Sequence, residues 1–189
     1  VAGATGNEDA TSIPIVLTGV DDTGVSQFNL TTIPNAATVG KLYTSAADAA
    51  AQINAVTTGT NYAAAGNSLT LYFRPVADYN GNATFNFRAN DGTTNSTAVA
   101  ATIVVNAVND APVLANSVLA LGAVNQNAAA PVGAVGSLVS TLVGGVTDVD
   151  AGAVKGVALT ATDSANRTWY FTTDGGTTWA PTQDPCRPM

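Results

Sequence analysis

The sequence predicts an all-β chain: two β-sandwich modules in tandem, the second incomplete, with one short helix near 45–56. Three observations predict it. Short runs of alternating apolar and polar residues recur along the chain, separated by clusters of Gly, Asn and Asp, the pattern of half-buried strands joined by tight turns. Charged residues make up only 10% of the chain and hydrophobic ones 46%, against roughly 25% charged in ordinary domains. The solvent face is therefore neutral and polar, made mostly of Thr and Asn. Finally, one segment starts twice. Asp22-Thr23-Gly24 leads through a short spacer to Leu30-Thr31, and Asp150-Ala151-Gly152 leads likewise to Leu159-Thr160. Repetition marks a built array of modules.

Residues 1–10 read as a polar lead-in. Residues 11–17 read as an edge strand, because Pro14 has no N–H to give a central ladder. The stretch 21–24 is a turn, with Asp supplying side-chain caps and Gly a positive φ. Phe28, Leu30 and Thr32 alternate with Asn29 and Thr31 and form a half-buried strand. Residues 41–44 make a short strand. Residues 45–56 are Ala-rich without Gly or Pro, and Ser45 caps a short helix there. Leu69, Leu71 and Phe73 share one face of a strand over 68–73. A turn at 77–81 and strands at 84–88 and 99–105 complete the first module, 1–106.

Residues 107–112 form a linker, and 113–189 form the second, incomplete module. There 117–124 is weakly strand-like, and 132–142 is a strand or a helical turn. Residues 154–161 and 167–173 read as strands. Asp174-Gly175-Gly176 is a strong hairpin signal, and 181–189 is a tail. The second copy has no counterpart to the strands at 69–81 and 83–88, so an open sandwich is expected.

Composition removes several function classes. The chain has no His and a single Cys, Cys186. The usual general base, the commonest zinc ligand and any internal disulfide are absent. Net charge is −7 with only six Lys and Arg, which gives nucleic acid nothing to bind. The same balance suits divalent cations. No apolar run approaches the ~18 residues of a membrane-crossing helix, so no membrane insertion is expected. Val1 opens the chain without Met and reads as a processed end or the end of a cut fragment. Four Asn-x-Ser/Thr sequons, at Asn29, Asn82, Asn95 and Asn166, are about what chance supplies in so Asn- and Thr-rich a chain.

Four stretches of the first half carry a family likeness: Asn7-Glu8-Asp9, Pro75-Val-Ala-Asp-Tyr-Asn-Gly81, Phe85-Asn-Phe-Arg-Ala-Asn-Asp-Gly92 and Val108-Asn-Asp-Ala-Pro-Val113. Together they resemble the bacterial cadherin-like and Ig-like tandem repeats of large surface and secreted adhesin-type proteins. The second half, from Thr147-Asp-Val-Asp-Ala-Gly152 to Trp169 and Trp179, is similar to a repeat of the same group. The likeness spans about residues 7–180. It implies Greek-key sandwiches in series, an extracellular or cell-surface location, and calcium at module junctions.

Calcium takes six to eight hard oxygens from carboxylates, amide carbonyls and backbone. The candidate metal ligands are Glu8, Asp9, Asp91, Asn109 and Asp110, with Asp148 and Asp150 from the second copy. Glu8 starts a module and Asp110 lies in the following linker, so the set need not form one site. Asn125-Gln126-Asn127 stands where Asn-Glu-Asp is expected, which costs the second copy two carboxylates. The bland reading of Asp91, Asn109 and Asp110 is turn capping. Trp169 and Trp179 are candidate ligand-binding rings for a glycan. If Asp174-Gly175 makes a two-residue turn, Tyr170 opposes Trp179 on one face and Trp169 and Phe171 share the other. One of those faces is then core.

The expected function is that of a non-enzymatic extracellular structural or adhesive protein. Its open module self-associates with identical subunits or neighbouring repeats by head-to-tail strand complementation, giving a fibre or layer. The alternative is a carbohydrate- or cell-surface-binding module of a large secreted repeat protein.

Overall fold

A computed structural model describes residues 3–115, 120–162 and 167–182. The chain divides into two units between Asn109 and Asp110.

Alternation sets the strands of the first unit. They are β1 (Gly3–Asn7), β2 (Ile13–Thr18), β3 (Gln27–Thr32), β4 (Gly40–Tyr43), β5 (Asn61–Ala63), β6 (Ser68–Pro75), β7 (Gly81–Asn90) and β8 (Val99–Asn106), with helix α1 (Ala46–Ala51) after β4. One sheet has the order β1-β8-β7-β3-β5 and the other β2-β6-β4. In β2 every second residue, Ile13, Ile15 and Leu17, is buried. Leu71 and Phe73 of β6 match them, as do Phe28 and Leu30 of β3, Phe85 and Phe87 of β7, and Ile103 and Val105 of β8. Both sheets thus press their period-two apolar faces into one core. Each such side chain contributes about 1.5–3 kcal/mol over an exposed one. Phe87 tilts against both Phe28 and Phe85, with centroids 5.9 and 6.3 Å away.

Pro14 lies on β2, an edge of its sheet as expected. Ser45 caps α1: its hydroxyl accepts from the Asp48 N–H at 3.0 Å and donates to the Asp48 carboxylate at 2.7 Å. The helix ends at Ala51, short of residue 56. Gln52 turns left-handed at φ 58, the Arg74 guanidinium donates to the Ala49 and Ala50 carbonyls, and the Val56 N–H is drawn to the Leu42 carbonyl of β4. Tertiary partners therefore take over the backbone groups that a longer helix would have used.

Residues 3–7 are not a lead-in. They form β1, paired in parallel with β8 from Gly3↔Thr102 to Asn7↔Asn106. Gly-Ala-Thr-Gly-Asn carries no local strand signal, so the neighbouring β8 edge makes this strand. β5 is likewise recruited by β3.

The second unit departs further from expectation. β9 (Val113–Leu114) pairs with β10 (Val146–Thr147), and β11 (Tyr170–Phe171) with β12 (Ala180–Pro181). One helical turn, α2 (Val139–Leu142), has no side-chain cap. It resolves the strand-or-helix alternative at 132–142. Residues 154–161 form no strand, and 120–124 none; part of the 117–124 expectation, and Cys186 and Asn166, fall outside the described residues. Among the described residues of this unit, Gly176 alone is buried. Two short ribbons are the described strands of the module expected to be incomplete, and 154–161 stays unpaired because no described strand lies alongside it.

Candidate functional site

The parallel pairing of β1 with β8 carries Glu8 past Asn106 and places it where the chain leaves β8. Its N–H donates to the Asn106 carbonyl at 3.1 Å. One carboxylate oxygen accepts the Val108 N–H at 2.6 Å, and the other accepts the Asn80 side-chain amide at 3.1 Å. Glu8 is only 4% exposed. A buried carboxylate is costly unless donors replace its water, and hydrogen bonds to a charged group contribute about 1.5–3 kcal/mol each. Glu8 thus clasps the 76–81 turn and the outgoing chain to the end of β1. Asp9, next to it, is exposed and lines a shallow depression with Gly6, Asn7, Ala10 and Val108.

Asp91 lies elsewhere. It follows Asn90, the far end of β7, whereas Asn80 precedes Gly81 at the near end. A ten-residue strand spans roughly 30 Å, so Asp91 and Glu8 occupy opposite ends of the unit. The Asp91 carboxylate accepts from the Thr93 and Thr94 N–H groups, both at 2.7 Å, and from both threonine hydroxyls. These donors, the Thr94 N–H foremost, hold its pKa far below the usual carboxylate range. Asp91 therefore works as a turn cap. Asp21 is a second cap, its pKa lowered first by the Thr23 hydroxyl.

In the second unit, Asp110, Asp148 and Asp150 are joined by backbone donors. The Asp110 N–H donates to the Asp150 carboxylate at 2.7 Å, and the Asp150 N–H to the Asp148 carboxylate at 3.0 Å. The Asp-Val-Asp spacing makes a tight turn that is continued by the Ala153 N–H on the Asp150 carbonyl. All three are half-buried, while Asn109 in the first unit is exposed.

The aromatic hairpin differs from the two-residue turn. Tyr170 opposes Pro181 and Phe171 opposes Ala180, so Trp179 falls inside a longer loop. Asp174 organises that loop, accepting from the Thr172 hydroxyl at 2.7 Å, the Thr178 hydroxyl at 2.6 Å and the Thr178 N–H. The Thr178 hydroxyl leads in pulling its pKa far down. Gly176 is at φ 93, and a Cβ there would meet the Gly133 carbonyl and Ala134 Cα. Only glycine fits. The Trp179 indole N–H donates to the Gly133 carbonyl at 3.1 Å. Trp169, Tyr170 and Trp179 are half-buried and Phe171 is 50% exposed. None of the four rings is fully buried, and among the described residues the 133–136 segment is what packs against Trp179.

Two sequon side chains are engaged within the first unit. The Asn29 amide donates to Thr60 and Asn61, and Asn95 accepts from Asn90. Asn82 is exposed on β7.

Sequence reasoning missed Asn80 as a partner of Glu8. Its place in the Asp-Tyr-Asn-Gly turn marked a turn residue, but nothing local pointed seventy-two residues back. Among the described residues no helix is long and apolar enough to cross a membrane. No family model, curated protein or solved structure matches the chain.

Proposed function

We propose that the chain is a non-enzymatic structural or adhesive module of an extracellular or cell-surface protein, which associates with identical subunits or neighbouring repeats by strand addition. One observation carries this reading: the first unit buries a full two-sheet core, while the second leaves Val154 98%, Leu138 71% and Leu159 58% exposed. Its described ribbons are two residues long, so most of the described backbone there lies outside any ladder. Such a surface favours an added strand. A head-to-tail contact that does not close grows into a filament. The low charge of the chain opposes this little. Calcium is the proposed cofactor, with Asp110, Asp148 and Asp150 as ligands in the second unit and Asp9 in the first, because the 13 carboxylate side chains outnumber the six cationic ones; both Glu8 oxygens already hold protein donors. The Asp21, Asp91 and Asp174 carboxylates serve as turn caps, which fits a scaffold better than acid–base catalysis.

Negative-stain electron microscopy of the purified chain, with calcium and then with chelator, tests the reading. Uniform fibres are expected, shortened by chelator. Discrete single particles under both conditions would sink it. A glycan-binding reading is favoured by the accessible rings of Trp169, Phe171 and Trp179, and glycan-array retention lost in Trp179→Ala would then take its place.

A further inference from the structure

We propose that Asn80-Gly81 is a self-modifying site, whose deamidation replaces the amide donor of the Glu8 clasp with a carboxylate. It is the single Asn-Gly step in the chain. Both residues are exposed, in the turn between β6 and β7, and Gly81 has φ 131. A Cβ at Gly81 would meet nothing nearer than the Tyr79 hydroxyl at 3.5 Å, so the Gly81 α-carbon is uncrowded where β7 begins opposite Val105. Glycine also has no Cβ to obstruct a ring closing on its nitrogen. The reaction needs only water. The Gly81 backbone nitrogen attacks Asn80 Cγ and a C–N bond forms. The Cγ–Nδ2 bond breaks, and Nδ2 leaves as ammonia with the proton from the Gly81 nitrogen. Water then opens the succinimide to aspartate or isoaspartate.

The consequence follows from what Nδ2 was doing. It donates to the Glu8 carboxylate at 3.1 Å, and Glu8 is 4% exposed. After the reaction an acceptor faces an acceptor, and a buried Glu8 oxygen loses the donor that stood in for its water. The other Glu8 oxygen holds the Val108 N–H, and the Glu8 N–H holds the Asn106 carbonyl. A change at one turn tip therefore loosens the point where the chain leaves β8. Deamidation in this way acts as a timer on the clasp.

Ageing the folded chain at mildly alkaline pH, followed by peptide mapping, tests the chemistry. The exchange of NH2 for OH is expected first at residue 80, ahead of Asn82 and Asn95, and absent in Asn80→Gln. Asn80→Asp is expected to lower the thermal midpoint. Combining it with Glu8→Gln is expected to restore the midpoint, since the amide introduced at position 8 offers an N–H donor to the new carboxylate and keeps a carbonyl for the Val108 N–H. Conversion at residue 80 no faster than at Asn82 would overturn the proposal. So would an Asn80→Asp chain as stable as the parent, or a double variant that recovers nothing.

Discussion

Asp22–Thr31 and Asp150–Thr160 begin with the same Asp-x-Gly turn and end on the same Leu-Thr pair, yet only the first becomes a strand. Phe28 and Leu30 are fully buried on β3, which is laddered to β7 on one side and β5 on the other. Val154, Val157 and Leu159 stand in solvent, at 98%, 48% and 58% exposure, with no described strand beside them. The difference teaches that strand formation is a property of the surface a segment fits. A backbone with both edges unpaired and no apolar face to cover gains little from propensity alone.

The largest test of this comparison is a pair of truncations. Phe85→Ala removes a ring from the middle of the shared core and is expected to destabilise the first unit by about 3–5 kcal/mol. Leu159→Ala removes an exposed side chain and is expected to stay within about 0.5 kcal/mol. Urea denaturation followed by circular dichroism measures both. Equal effects would mean that the second copy has a core of its own.

A smaller effect is expected at Gly176. Alanine there combines the φ of 93 with a Cβ driven into Gly133, a strain of about 1–3 kcal/mol. Both tryptophans lie in the second unit, so tryptophan fluorescence reports on that unit alone. Gly176→Ala should release the Trp179–Gly133 contact and red-shift the emission, leaving the circular dichroism of the first unit unchanged. An unshifted spectrum would mean that this hairpin is already loose.

The smallest expected effect is in acid. Asp91 and Asp174 have folded pKa values depressed by threonine donors, so the unfolded state binds more protons as pH falls. Their contribution is fully present above the unfolded carboxylate value of about 4 and is lost as pH falls through their lower folded values. An acid titration followed by tryptophan emission reads Asp174, and one followed by circular dichroism reads Asp91. Replacing either residue with Asn should flatten the corresponding curve. An unchanged curve would show that its threonine cage is not formed.

Much of the first unit was readable because its signals are local. Pro14 marked an edge, Ser45 a helix start, and the alternations at 28–32 and 68–73 the faces that are buried. β1 was not readable, because Gly-Ala-Thr-Gly-Asn becomes a strand only beside β8. The candidate site was readable as a list of carboxylates but not as an arrangement. Nothing in the spacing separates Glu8, which clasps Val108, from Asp91, which caps a turn at the other end of β7.

The sequence by itself determined the all-β class, the register of apolar faces and the Asp, Ser and Gly turn chemistry, since each depends on neighbours a few residues apart. The tertiary structure alone decided which edges were paired, where α1 stopped and which carboxylate was buried. Those outcomes depend on donors, acceptors and apolar surface brought from distant parts of the chain, and a buried polar group is tolerated only where such partners arrive.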